Sequence, residues 1–232
     1  MRLPGTKLRS RNAVDERLVW QASSLLLDYP GDGFGQRLDT VEALLERLPV
    51  APAAPLARCV AALRGDSEAA THYVDTFDLR KRTTLYLTYW TAGDTRNRGR
   101  EMLRFVEAYR AAGVGAPAAE SPDHLAVVLE FAATVDARSG AALLAEHGVA
   151  IRMLHAALVE TGSPYADVLA AVCATLPPAT GRDEERARRL AREGPPAEAV
   201  GLEPFTLTVP PRRTAGASTA PAPQRARKAE VS

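Results

Sequence analysis

A chain of 232 residues, 46% of them hydrophobic, can bury a substantial core, and its net charge of +1 argues against binding nucleic acid through bulk charge. Ala, Leu, Arg and Glu dominate while strand-forming residues are sparse, so the expected fold class is all-α, a single-domain multi-helix bundle. Cys59 and Cys173 fall in separate apolar segments and read as buried thiols, and no stretch has the length of a membrane span or the pattern of a signal peptide, so the expected compartment is the cytoplasm.

Residues 1–12 carry positive charge without periodicity and read as a disordered arm, ahead of a helical domain over 13–205. The first helix begins near Asp15, with Leu18, Ala22, Leu25 and Leu26 on one face, and Tyr29-Pro30-Gly31-Asp32-Gly33 stops it. Gly31, Gly33 and Gly35 are spaced like a phosphate loop, but no strand precedes them and no P-loop lysine follows, so a turn is the expectation. A second helix covers Phe34 to Leu48 and ends at Pro49-Val50-Ala51-Pro52; Leu56–Arg64 and Ser67–Phe77 follow as shorter helices. Leu79, Thr83, Tyr86 and Trp90 then recur at helical spacing, flanked by Leu85 and Tyr89, which predicts a central helix. Gly93-Asp94-Thr95 breaks the chain, with Asp94 ready to cap a long helix that buries Met102, Phe105, Val106 and Tyr109 and ends at Gly113.

Gly, Ala and Pro over 113–121 suggest a linker between two halves. The second half opens on Ser121-Pro122-Asp123-His124, the grammar of a helix start, and runs through Leu125, Val128, Leu129 and Phe131 to Ser139-Gly140. A helix from Ala141 to Thr161 carries Leu144, Ile151, Leu154 and Leu158, and Ser163-Pro164 opens another that closes at Pro177-Pro178. Glu184–Glu193 reads as a charged surface helix, and Gly201–Phe205 as a last segment able to dock. The Pro-, Ala- and Arg-rich residues 206–232 read as a disordered basic tail.

Chemistry is sparse along this chain. His72, His124, His147 and His155 form no i, i+4 pair, no CxxC occurs, and no nucleophile elbow is present, so no metal site, no cofactor and no catalytic residue is expected, and each histidine reads as a surface or capping residue. The informative stretch is Tyr73 to Gly113, where aromatic residues interleave with arginines. On pattern alone, core packing and a recognition surface explain Tyr86, Tyr89 and Trp90 equally well; the neighbouring arginines favour a groove with an apolar floor and a charged rim, suited to an amphipathic helix.

Phe77-Asp78-Leu79-Arg80, Leu85-Tyr86-Leu87-Thr88-Tyr89, Gly93-Asp94-Thr95-Arg96 with Arg98-Gly99, and Arg104-Phe105 with Ala108-Tyr109-Arg110 resemble, in order, the signature of the nitrate reductase molybdenum-cofactor assembly chaperones, the delta-chain or NarJ-type branch of the TorD-like redox-enzyme maturation proteins. Asp123-His124-Leu125 with Val127–Phe131 resembles the second block, and Leu27–Pro30 and Glu203–Phe205 the ends. The resemblance implies an all-helical cytoplasmic chaperone without enzymatic activity. Its partner would be the N-terminal peptide of the nitrate reductase catalytic (alpha) subunit, kept competent for molybdenum cofactor insertion; it would act as a monomer or weak dimer without nucleic acid or stable membrane insertion. The expected groove has Tyr86, Tyr89 and Trp90 as floor, Arg80, Arg82, Arg96 and Arg98 as rim, and Asp94, Asp123 and His124 nearby. Protonation of His124 would make binding pH-dependent between about 5.5 and 7.5. The rival readings are a helical nucleotide-binding or hydrolytic enzyme, and a basic nucleic-acid adaptor retained on heparin.

Overall fold

The computed structural model describes residues 4–196, with side chains from residue 13 onward; the expected docking of Gly201–Phe205 and the tail over 206–232 lie outside the described residues. Among the described residues eleven α-helices follow one another: α1 (Pro4–Leu27), α2 (Phe34–Leu45), α3 (Val50–Arg64), α4 (Ala69–Tyr73), α5 (Leu87–Ala92), α6 (Asn97–Ala111), α7 (Leu125–Thr134), α8 (Ala137–Glu146), α9 (Gly148–Glu160), α10 (Tyr165–Thr175) and α11 (Gly181–Glu193). The fold is all-α, and among the described residues the one strand-like pairing is an antiparallel bridge between Tyr86 and His124.

Val19, Ala22 and Leu26 of α1 are spaced three and four apart with Leu27 beside them, all four are buried, and the helix packs on α7 and α10. The Trp20 indole N–H reaches Thr175 Oγ1 at 2.9 Å, and Ser24 Oγ donates to Ala126 O at 2.8 Å, so α1 is tied by polar contacts to the second half of the chain. The segments before and after residues 113–121 therefore share one core. α7 is its centre, with Leu125, Val128, Leu129 and Ala132 fully buried. Each large apolar side chain enclosed in this way contributes about 1.5–3 kcal/mol. Beside it Tyr73, Phe77 and Tyr165 form an aromatic cluster, Phe77 lying 4.9 Å from each of the two tyrosine rings, and Tyr73 donates its hydroxyl to Leu27 O.

Several boundaries differ from the pattern, each for a local reason. α1 opens at Pro4, so the backbone of residues 4–12 is helical where an irregular arm was expected; proline suits a first helical position, where its missing N–H costs nothing. α3 likewise starts at Val50, ahead of Leu56, because Pro52 falls within its first turn, and α2 stops at Leu45. The helix predicted over Leu79–Trp90 does not form. α4 runs into a wide turn closed by Leu79 N–H to Val74 O, Leu79 is exposed, residues 81–83 make a tight turn, and residues 84–86 are extended. The Thr83 hydroxyl donates to a local carbonyl and lies near both Thr76 O and Arg80 O, offering the backbone an alternative to the helical ladder.

Ser121–His124 is not the first turn of α7, which begins at Leu125. The expected helix from Ala141 to Thr161 is instead two helices, α8 and α9, bent by 67° at His147. α8 starts at Ala137 because the Asp136 carboxylate accepts from the N–H groups of Arg138 and Ser139. Both cysteines are free, with Cys59 buried and Cys173 half-buried. No single helix among the described residues is long and apolar enough to cross a membrane.

Candidate functional site

α5 is six residues long, too short to persist alone, and its placement depends on the segment that precedes α7. Leu125 N–H donates to Leu85 O at 2.9 Å and Leu87 N–H to Asp123 O at 3.1 Å, locking residues 85–87 against 123–125. The Asp123 side chain, fully buried, then accepts from Thr88 N–H at 3.0 Å and from the Thr88 hydroxyl, while Ser121 Oγ donates to its other oxygen. Asp123 thus caps α5, across 35 residues, rather than its own helix. Arg98 Nε donates to Thr88 Oγ1 at 3.2 Å, and Arg98 Nη2 lies 3.9 Å from Asp123 Oδ2, which supplies a counter-charge for the enclosed carboxylate.

Arg98 also organises the surface above. Its guanidinium stands 5.1 Å over the Tyr86 ring and 3.8 Å from Asp94 Oδ1, while Lys81 Nζ donates to the other Asp94 oxygen at 3.3 Å. The Tyr86 ring meets His124 edge-on at 5.4 Å, and its hydroxyl pKa is raised by partial burial and by nearby carboxylates. His124 is buried, its Nδ1 has no hydrogen-bond partner, and burial lowers its pKa against the opposing pull of Glu120 and Asp123. Its protonation is therefore displaced downward from the window expected for a surface switch. His147 is also buried, its ring tilted 5.0 Å from that of Phe105 and its Nδ1 3.0 Å from Leu143 O, so neither residue is at the surface and both occupy cap positions, His124 ahead of α7 and His147 between α8 and α9.

Tyr89 divides the expected groove into two recesses. One, of about 250 Å³, is lined by Phe77, Asp78, Arg80, Lys81, Thr84, Tyr86, Tyr89, Asp94 and Arg98. The other, of about 430 Å³, brings Lys81, Arg82, Tyr89 and Trp90 together with Met153, Ala156, Ala157 and Glu160 of α9, Ala187, Arg188, Leu190 and Ala191 of α11, and Gly194 and Pro195. Of the predicted residues, Arg80, Tyr86, Asp94 and Arg98 meet in the first, Arg82 and Trp90 in the second, and Tyr89 in both. Tyr86 and Trp90 do not form one floor, because residues 84–86 are extended and the two rings leave the backbone on different elements. Arg96 is exposed and lines neither recess, and Asp123 and His124 lie behind the surface as its support.

The sequence pattern missed α9 and α11 as walls. Met153, Ala156 and Ala157 share a face of α9, and small alanines there leave room for close approach. Ala187, Leu190 and Ala191 make a narrow apolar stripe in an otherwise charged helix, and this is the signal that could have identified it. α11 starts with a reciprocal capping box, Thr180 accepting from Asp183 N–H while the Asp183 carboxylate accepts from Thr180 N–H, yet none of its residues is buried. Gly93 (φ +61°) at the end of α5 packs so closely on the Pro196 carbonyl that a Cβ has no space there. Among the described residues no cluster of three metal-ligating side chains occurs.

The sequence is similar to known proteins. The family described as nitrate reductase delta subunit matches residues 39–171, from α2 to α10. A nitrate reductase-like protein NarX of Mycobacterium tuberculosis is 54% identical over 160 residues, which is 68% of this chain but 24% of that protein, so the chain spans about a quarter of its length. The probable nitrate reductase molybdenum cofactor assembly chaperone NarJ of Bacillus subtilis is 29% identical over 168 residues, covering 71% of this chain and 91% of the relative. The NarJ chaperone of Escherichia coli K12 is 29% identical over 99 residues, 43% of this chain and 42% of the relative. The match runs through α5, α6, the Asp123 segment and α9 but ends before α11, and the chain belongs to the nitrate reductase delta subunit family.

Proposed function

We propose that this protein is an assembly chaperone for a respiratory nitrate reductase. It holds the N-terminal segment of the catalytic subunit as a short amphipathic helix and keeps that subunit competent for molybdenum cofactor insertion. It works in the cytoplasm, as a monomer or weak dimer, and leaves before the finished enzyme is complete. The observation that carries this reading is the pair of recesses around Tyr89, open at the surface, aromatic at the base and rimmed by Arg80, Lys81, Arg82 and Arg98. Relatives named as nitrate reductase molybdenum cofactor assembly chaperones support the choice of client.

Enclosing two or three apolar client side chains would supply about 4–8 kcal/mol before ordering costs, compatible with micromolar or tighter binding. Titration calorimetry with a peptide of the catalytic subunit's N-terminus is the test. Saturable heat with the wild-type chain and its loss with Tyr89→Glu are expected; a wild-type chain that gives no binding would remove this reading.

A further inference from the structure

Arg98 is held from three sides. Its Nε donates to Thr88 Oγ1 at 3.2 Å, its guanidinium lies 5.1 Å over the Tyr86 ring, and the buried Asp123 carboxylate stands behind it. These contacts fix the group in direction but use only one of its nitrogens. Nη1 is 3.8 Å from Asp94 Oδ1 and Nη2 is 3.9 Å from Asp123 Oδ2, both beyond hydrogen-bonding distance, so among the described residues the two Nη groups donate to nothing. A fork of donors already oriented and without acceptors is preorganised for an oxyanion. The surroundings select which kind. Arg80 and Lys81 join Arg98 in the lining of the smaller recess, while Asp78 and Asp94 in the same lining oppose a ligand with two negative charges. Phe77, Tyr86 and Tyr89 offer aromatic surface to whatever carries the anion. A phosphate meets the two carboxylates and leaves the rings unused, whereas a carboxylate on an apolar carrier suits both. Asp94 holds its place loosely: its side chain is 58% exposed and its other oxygen accepts from Lys81 Nζ at 3.3 Å, so it is free to pass wholly to Lys81 when another carboxylate arrives.

We propose that Arg98 is the receptor for a single carboxylate, that Asp94 is its stand-in in the free protein, and that the arriving carboxylate is an acidic side chain of the client. The last clause rests on the chaperone reading; the first two rest on the geometry around Arg98. Contact at Arg98 sets the register of the bound segment, a task that apolar surface leaves open because hydrophobic contact carries no direction.

Two measurements on the full chain test this. The first follows the Arg98 Nε–H resonance while hydrocinnamate, its neutral amide and inorganic phosphate are added separately. Hydrocinnamate should shift it saturably, the amide should leave it in place, and phosphate should act more weakly than hydrocinnamate. An amide that acts equally, a phosphate that acts more strongly, or a resonance that none of the three moves overturns the receptor. The second is titration calorimetry with the catalytic-subunit peptide and with versions in which each acidic residue in turn becomes its amide. One replacement should weaken binding to the wild-type chain about tenfold and have no effect with Arg98→Gln, and Asp94→Asn should tighten the parent peptide about threefold. An Arg98 that only braces α5 gives no coupling to any peptide carboxylate, and Asp94→Asn then leaves binding unchanged or weaker. If hydrocinnamate binds and the peptide does not, the choice of client is wrong and the carboxylate site stands. If the peptide binds and none of its acidic residues couples to Arg98, the client stands and the assignment of the carboxylate to it is overturned.

Discussion

Asp123 takes hydrogen bonds on both carboxylate oxygens from inside the fold, and these hold α5 in place. Asp123→Ala should cost about 3 kcal/mol, combining a lost cap with charge-assisted bonds left unmade around Thr88 and Arg98, and Asp123→Asn less. Urea unfolding measures this directly, and a loss below about 1 kcal/mol would contradict the capping role. The residue type was legible in the sequence as a cap, but the helix it caps was not, since its target lies 35 residues upstream and local spacing carries no information about it. His124 and His147 show the same limit, because burial is set by elements packed from elsewhere. Burial lowers the pKa of both below the ordinary histidine value of 6.5, so above 6.5 both states are neutral and their contribution is complete. As pH falls below 6.5 the unfolded chain takes up protons that the folded chain resists, and stability is lost toward the lower folded values. His72, raised by its contact with Asp66, acts with the opposite sign, but it is exposed and screened. The urea midpoint should therefore decline from pH 7 to pH 5 and do so less steeply in His124→Gln with His147→Gln. A midpoint independent of pH across that interval would refute the assignment.

Among the elements, α10 follows apolar periodicity closely, because its face is continuous and its breaks are prolines, whereas α2 stops short of Leu48 and α6 buries Phe105 and Tyr109 but leaves Met102 and Val106 half-buried. Residues 79–90 mislead for a physical reason. Leu79, Thr83, Tyr86 and Trp90 do sit three or four residues apart, yet Thr83, Tyr86 and Trp90 reach their environments from a tight turn, an extended segment and a short helix, while Leu79 is exposed. Three consecutive conformations imitated one period. The α7–α8 corner depends on a glycine: Gly140 packs on the backbone and Cβ of Ala132, with no space for a side chain. Gly140→Ala should destabilise the protein by about 1–3 kcal/mol through overpacking, even though alanine favours the helix it joins. Thermal unfolding of the variant checks this, and an unchanged or higher melting temperature would mean that the corner yields without cost.

For the whole molecule, the composition of residues 113–121 suggested two halves, whereas Trp20, from the first, hydrogen-bonds Thr175 in the last third of the chain, and α1 packs on α7 and α10. The chain should accordingly unfold in one transition, with tryptophan fluorescence and far-ultraviolet circular dichroism giving the same midpoint; separated midpoints would indicate that the halves melt independently. The recesses were legible as a set of residue types around Tyr89, but not as a shape, because two of the walls of the larger one come from α9 and α11, far along the chain. The long-range cap on α5 has a further consequence in time. A ribosome that has released residues up to Ala92 has produced a six-residue segment with nothing to hold it, and the acceptors for Leu87 and Thr88 arrive only with Asp123. The larger recess waits longer still, for α9 and then α11. Among the described residues the larger recess is therefore the last feature to be completed during synthesis.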